Sequence, residues 1–193
     1  MNDINQVLDF IVEIEKLKNV LRKSRPVGLK RYENSAEHSW HVCISALMLK
    51  DYANSVVDID RVIKMLLIHD LCEIDAGDQI VYSNETVERK TEEKKGMKRI
   101  LDMLPNDMGG EYLQLWEEFE SGCSEDAKYA KAIDRVPPLL HNINDDGHGW
   151  KKNKIPKEKV FALNSERIST GSTQIWEVIE EKLQGAVRAG ALT

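Results

Sequence analysis

Of the five histidines in this 193-residue chain, His69 carries the strongest chemical signal. It is followed at once by Asp70, in the apolar run L-L-I-H-D-L-C-E. Alone, such a pair reads as a core histidine beside a helix-end carboxylate. Its neighbours change the reading. Glu73 comes four residues after His69 and three after Asp70, so on a helix it shares their side. Asp78 follows Gly77 in the next turn. Upstream, His38 and His41 are three apart and share one face of a helix. Downstream, Asp134 sits mid-helix beside Ile133 and Val136, where a carboxylate needs a cation or donors to balance it. Imidazoles and carboxylates drawn from several helices of a bundle form a divalent-metal site. On spacing alone, His38 and His41 remain equal candidates.

A second signal is electrostatic. The net charge is −6, which argues against a general nucleic-acid binder. Yet Lys16, Lys18, Arg22, Lys23, Arg25, Lys30 and Arg31 form a run without an intervening acid. Such a run is either a solvated face or a seat for an anion.

The elements that must position these groups are helical throughout. Ile4, Val7, Leu8, Ile11, Ile14, Leu17 and Leu21 make one stripe of a first helix. Pro26 and Gly28 break the pattern. Ser35 is expected to cap a second helix running to about Tyr52, with Val42, Ala46, Leu47 and Leu49 inward. Asp58 or Asp60 caps a third, apolar almost all round and therefore central. Residues 85–104 read as a charged outer helix, and Glu111 to Phe119 as another. Ser124 caps a helix that Pro137 and Pro138 should kink. Residues 144–153 read as a loop. Pro156 fits the first turn of a helix to about Ile168, and a last helix follows Ser172 with Trp176, Ile179 and Leu183 on one face. Trp150 and Trp176 read as core residues. No strand, repeat or linker is evident, so the expectation is one all-α domain.

The motifs E-N-S-A-E-H-S at 33–39, H-D-L-C-E-I-D-A-G-D at 69–78 and K-A-I-D-R at 131–135 resemble the HD-domain metal-dependent phosphohydrolases. With L-W-E-E-F-E at 115–120 they resemble the 5′-deoxynucleotidase branch in particular. The likeness runs from about residue 17 to about residue 145, with C-terminal helices at 156–190 packed on that core. The resemblance implies a single-domain HD-type helical bundle, here taken as 1–193. It implies that His38, His69, Asp70 and Asp134 hold one divalent metal (Mn, Co, Fe, Ni or Zn), which leaves His41 a supporting role. Glu73 would orient water or move protons, and Asp78 would contact the nucleotide sugar. An Arg after the first helix would hold the phosphate: Arg22, with Arg25 in competition. The implied reaction removes the 5′-phosphate from (deoxy)nucleoside monophosphates, and the implied assembly is a homodimer.

One departure stands out. The related enzymes have a Trp in the loop after the first helix, whereas this chain reads R-K-S-R-P-V, which puts selectivity for 2′-deoxy sugars in question. The segment H-N-I-N-D-D-G-H-G-W at 141–150 reads equally as a substrate loop or a surface loop. Competing readings are an HD-type phosphodiesterase, a nucleoside triphosphohydrolase, or a catalytically silent nucleotide-binding module. The added histidines of a two-metal HD centre are absent. No apolar run is long enough to span a bilayer, and the N-terminus lacks a signal-peptide layout. With three widely spaced cysteines, a reducing cytoplasm is the expected setting, with no membrane and no nucleic-acid polymer as partner.

Overall fold

The computed structural model describes residues 3–83 and 86–193. Its helices are α1 (Asp3–Ile14), α2 (Ser35–Leu49), α3 (Ile59–Ile68), α4 (Glu73–Ala76), α5 (Val87–Leu101), α6 (Met108–Ser121), α7 (Glu125–Ile143), α8 (His148–Lys152), α9 (Lys157–Gly171) and α10 (Thr173–Arg188). Short 3₁₀ turns follow α1 and α2. Extended pairing among the described residues is limited to one antiparallel bridge between Leu21 and Asn34. The all-α expectation therefore holds.

Helix α7 is the hub. It packs against α2, α3, α6, α9 and α10. Ala127, Tyr129, Ala130, Ala132, Ile133, Val136 and Leu139 are all buried, on several faces of the helix. The Tyr129 hydroxyl, which would be costly to bury unpaired, donates to the Ala46 carbonyl at 2.9 Å. Small residues set the closest approach: a Cβ on Gly171 of α9 would lie 2.4 Å from the Lys128 carbonyl oxygen and 2.7 Å from Ala132 Cβ. The chain continues as helix through Pro137 and Pro138. Ser124 caps α7, as its sequence predicts, by accepting from Ala127 N–H at 3.1 Å.

The differences from the sequence reading are local. The first apolar stripe is only partly a core face: Ile4, Leu8, Ile11 and Leu21 are exposed, Val7 and Ile14 pack half-buried against the core, and Leu17 is buried. The second helix is capped by Asn34 rather than Ser35. Asn34 accepts from Glu37 N–H while the Glu37 carboxylate accepts from Asn34 N–H, a reciprocal capping box. Asp58, not Asp60, caps α3. Leu47 of α2 faces outward rather than inward, and Leu67 is exposed on α3, so α3 is buried on one side rather than all round. Residues 144–153 are not only loop, because they contain α8. Pro156 precedes its helix rather than opening it, and that helix runs on to Gly171. The charged outer helix begins at Val87, and its expected first residue, Glu85, lies outside the described residues. Trp150 and Trp176 are buried, as are Ile179 and Leu183. No helix among the described residues is long and apolar enough to cross a membrane.

Candidate active site

Three local devices bring the reactive side chains together. The bridge at Leu21 and Asn34 is extended by Arg22 N–H to the Glu33 carbonyl (2.8 Å) and Glu33 N–H to the Ser24 carbonyl (3.0 Å). This clip fixes Arg22 beside the start of α2, where His38 is fully buried. The end of α3 places His69 and Asp70, and a tight turn leads into α4 with Glu73. Gly77 then adopts φ 71°, a left-handed value that suits glycine, and the chain reverses to deliver Asp78. From the other side, α7 supplies Asp134.

His38 Nε2 lies 2.9 Å from Asp134 Oδ1. His69 Nε2 lies 3.1 Å from Asp70 Oδ1 and 3.5 Å from Asp134 Oδ1. Two nitrogens and two carboxylate oxygens thus converge from α2, the α3 end and α7. The tautomer of His69 follows from its other nitrogen: Nδ1 donates to the Leu66 carbonyl at 2.8 Å. In the neutral ring Nε2 then presents a buried lone pair, and the atoms it faces are carboxylate oxygens, the place for a cation. A cation at this point satisfies all four groups, and the mixed imidazole–carboxylate set suits a first-row divalent metal. Without one, burial disfavours charge on His69, but Asp70 and Asp134 outweigh it and raise its pKa to about 10. Asp70 is itself held well below the usual carboxylate range: burial opposes this, but His69 and Arg22 prevail. His41 does not join this group. Its ring lies 5.6 Å from that of His141.

Arg22 is encircled by acids. Its Nη1 donates to Asp70 Oδ2 at 2.7 Å and lies 3.9 Å from Asp78 Oδ1, while Nε lies 3.6 Å from Glu33 Oε2. Glu73 Oε2 accepts from the Ser35 hydroxyl at 2.6 Å. Burial, reinforced by Asp70, pushes the Glu73 carboxyl up to about 8, so it can hold or release a proton near neutral pH. Asp78 is also raised, chiefly by burial, and its Oδ2 is buried without a hydrogen bond. Arg22, Asp70, Glu73 and Asp78 line an open pocket of ≈ 180 Å³. Its far wall is Ile80, Val81, Tyr82, Trp150 and Ile155, with Asn142 and Asn153 as polar points.

Arg25 is placed elsewhere. It forms a two-pronged ion pair with Asp145 (2.6 and 2.7 Å) that ties the loop after α1 to the α7–α8 turn. The rest of the basic run disperses: Lys16 pairs with Glu13, Lys18 with Glu15 and Arg31 with Glu37, while Lys23 lines the pocket. The segment 141–150 contributes Asn142 and Trp150 to the pocket wall and is not plain surface.

Four residues near the site were not singled out by the sequence. Ser35 binds Glu73. Arg135 donates to Asp134 through Nε at 3.1 Å and through Nη2. Glu33 and His141 are both buried, and with His41 they form a second group whose candidate ligand atoms lie within 4.8 Å of one another. Glu33, Ser35 and Arg135 all fall inside the quoted motifs, which was their available signal. His141 had none.

The family model of the HD domain matches residues 14–176. Among curated proteins, the human 5′-deoxynucleotidase HDDC2 is 31% identical over 136 residues, covering 69% of this chain and 65% of the human one. The chain thus aligns with slightly less than two thirds of that relative's length. The Dictyostelium discoideum protein of the same name is 27% identical over 166 residues, covering 82% of this chain and 87% of its own. The crystal structure of a predicted metal-dependent phosphohydrolase from Magnetospirillum magnetotacticum MS-1 superposes with a TM-score of 0.93 at 39% identity, covering all of both chains. A conserved hypothetical protein from Pyrococcus furiosus, at 24% identity and TM-score 0.57, shares the fold.

Proposed function

This chain belongs to the HD-domain family, and from that premise we propose that it is a metal-dependent phosphohydrolase removing the 5′-phosphate from (deoxy)nucleoside monophosphates. The observation that carries the reading is the position of Arg22. A buried guanidinium touches the convergent two-His, two-Asp set through Asp70 and lines an open pocket with aromatic and amide side chains on its wall. The names of its relatives, 5′-deoxynucleotidase and metal-dependent phosphohydrolase, support the same assignment.

His38, His69, Asp70 and Asp134 would hold one divalent ion, with Mn, Co, Fe, Ni or Zn all compatible with the donor set. When bound, that ion supplies Lewis acidity to the phosphoryl group and to a water nucleophile. The chain does the rest. Arg22 binds phosphoryl oxygens and offsets their charge, a task for which a planar guanidinium suits better than an ammonium. Glu73, oriented by the Ser35 hydroxyl, accepts the proton of the attacking water and returns one to the departing sugar oxygen. Asp78 accepts from a sugar hydroxyl. Tyr82 and Trp150 bound the nucleoside end of the pocket. The loop segment R-K-S-R-P-V carries no aromatic to pack against the sugar, so the reading does not restrict the substrate to 2′-deoxy sugars.

The whole chain is read as one HD domain acting in the cytoplasm; Cys43 and Cys72 are buried thiols. It is read as a homodimer because Trp40, Ile44 and Met48 on α2 and Ile4, Leu8 and Ile11 on α1 leave apolar faces exposed. The direct test is ³¹P NMR of reactions with a nucleoside 5′-monophosphate, a cyclic nucleotide and a triphosphate. Orthophosphate should form from the monophosphate. Turnover of only the cyclic nucleotide or triphosphate would move the chain to another HD activity.

A further inference from the structure

Glu33 is the most deeply buried carboxylate of the site, at 2% exposure against 9% for Asp70 and 8% for Asp134. Its Oε2 lies 3.6 Å from His38 Nδ1, 3.6 Å from Arg22 Nε and 3.8 Å from His141 Nδ1, and accepts from the Ser24 hydroxyl at 3.2 Å. We infer that Glu33 is a positioning residue, one carboxylate that orients both the metal ligand His38 and the phosphate-binding guanidinium of Arg22. The inference rests on the phosphohydrolase reading and names the element that holds its two halves in register.

His38 Nε2 faces Asp134, the side on which a cation would bind. For that nitrogen to present a lone pair, the ring hydrogen must sit on Nδ1. Nδ1 is buried and has no hydrogen-bond partner within ordinary bond length, and Glu33 Oε2 is the carboxylate facing it. A shift of a few tenths of an ångström completes a carboxylate–histidine–metal relay, the arrangement that fixes ring orientation and raises ligand basicity. The same oxygen faces Arg22 Nε, while Arg22 Nη1 faces Asp70. The guanidinium is therefore held at two edges by two carboxylates. Glu33 itself is set by main-chain bonds to Arg22 and Ser24, so its placement does not depend on a mobile loop.

Glu33, His41 and His141 also have the types and spacing of a cation site. Two features argue against that use. Glu33 Oε2 is already ringed by a hydroxyl, a guanidinium and two imidazole nitrogens, and a second cation would lie beside the Arg22 charge and repel it.

The test uses Glu33→Gln and Glu33→Ala in the full chain, with Co²⁺ as the probe. Affinity comes from chelator competition, and the site is also read by the visible Co²⁺ spectrum and the ion count per chain. The expected results are one ion per chain and about 10- to 100-fold weaker Co²⁺ binding in Glu33→Ala. Glu33→Gln keeps the volume and an acceptor but loses the charge. It should show an altered spectrum, a loss of about threefold or more in Co²⁺ affinity, and a raised KM for monophosphate. If Glu33→Ala does not fold by circular dichroism, Glu33→Gln decides. A folded Glu33→Gln with wild-type Co²⁺ affinity and spectrum overturns the inference. So does a wild type with two ions that drops to one in both Glu33→Gln and His41→Ala. If wild type turns over no nucleotide yet Co²⁺ affinity still depends on Glu33, the functional reading fails while the orientation of His38 stands.

Discussion

Arg22 Nη1 donates to Asp70 Oδ2 at 2.7 Å, and the other oxygen of Asp70 lies 3.1 Å from His69 Nε2. One carboxylate therefore faces both the proposed ligand set and the Arg22 guanidinium. Under the proposed function, this sharing would fix the distance at which a phosphoryl group meets both. Arg22→Ala should lower kcat/KM for a nucleoside monophosphate by about 10- to 100-fold, mainly through KM, as expected for loss of a charge-assisted hydrogen bond. Metal content should be unchanged or higher, since removing a cation next to Asp70 favours another. Arg25→Ala breaks only the pair with Asp145 and should change KM by less than about threefold. A larger effect at Arg25 would reverse the assignment.

Glu73 separates from the ligands in a paired measurement. His69→Ala and Asp70→Ala should lose both bound metal and activity, because each removes a converging donor. Glu73→Gln should keep the ion and lose about 10²- to 10⁴-fold in kcat, the usual range for a proton-transfer group. Equal loss of metal in all three variants would make Glu73 a ligand.

Chelation should be visible in stability as well as rate. Without the ion, His38, His69, Asp70 and Asp134 lose the cation that their converging atoms would share. An ion at about 100 times its dissociation constant adds about 2.7 kcal/mol to the folded state. For a chain of this length that corresponds to a fall in Tm of about 5–10 °C on adding EDTA, reversed by Mn²⁺ or Co²⁺. An unchanged Tm, with metal removal verified, would argue against a structural ion at this position.

Packing around α7 makes a prediction remote from the chemistry. Gly171→Ala places a methyl 2.4 Å from the Lys128 carbonyl oxygen, so α9 must move away from α7. Destabilisation of about 1–3 kcal/mol is expected, read as a shift in denaturation midpoint. Activity per folded molecule should be preserved.

The parts of the account legible in sequence are those written in short-range patterns. Ser124, Asp58 and the Trp176–Ile179–Leu183 face follow from capping chemistry and helical period, and the structure keeps them. The all-α class and the family follow from periodicity and contiguous motifs. Apart from the α2 cap, whose Asn34–Glu37 box is itself a local pattern, the failures share a cause: they depend on what an element meets in space. The α1 stripe has the period of a core helix but little core to meet, so Ile4, Leu8 and Ile11 stay exposed. Asn34 displaces Ser35 as cap because Glu37 completes the box with it, and this frees the Ser35 hydroxyl for Glu73. His38 and His41 are alike in spacing. They separate only when α7 is present, with Asp134 opposite one and His141 opposite the other. Arg25 differs from Arg22 through a partner 120 residues away, which no local pattern contains.

The central claim is that a two-His, two-Asp ion and Arg22 act on one phosphate monoester. The most direct measurement is orthophosphate release from a panel of nucleoside and deoxynucleoside 5′-monophosphates with Mn²⁺ or Co²⁺, repeated after chelation and after restoring the metal. Release is expected to be abolished by chelation, restored by the ion, and absent in Asp70→Ala. Metal-loaded, folded protein that releases no phosphate from any monophosphate would contradict it.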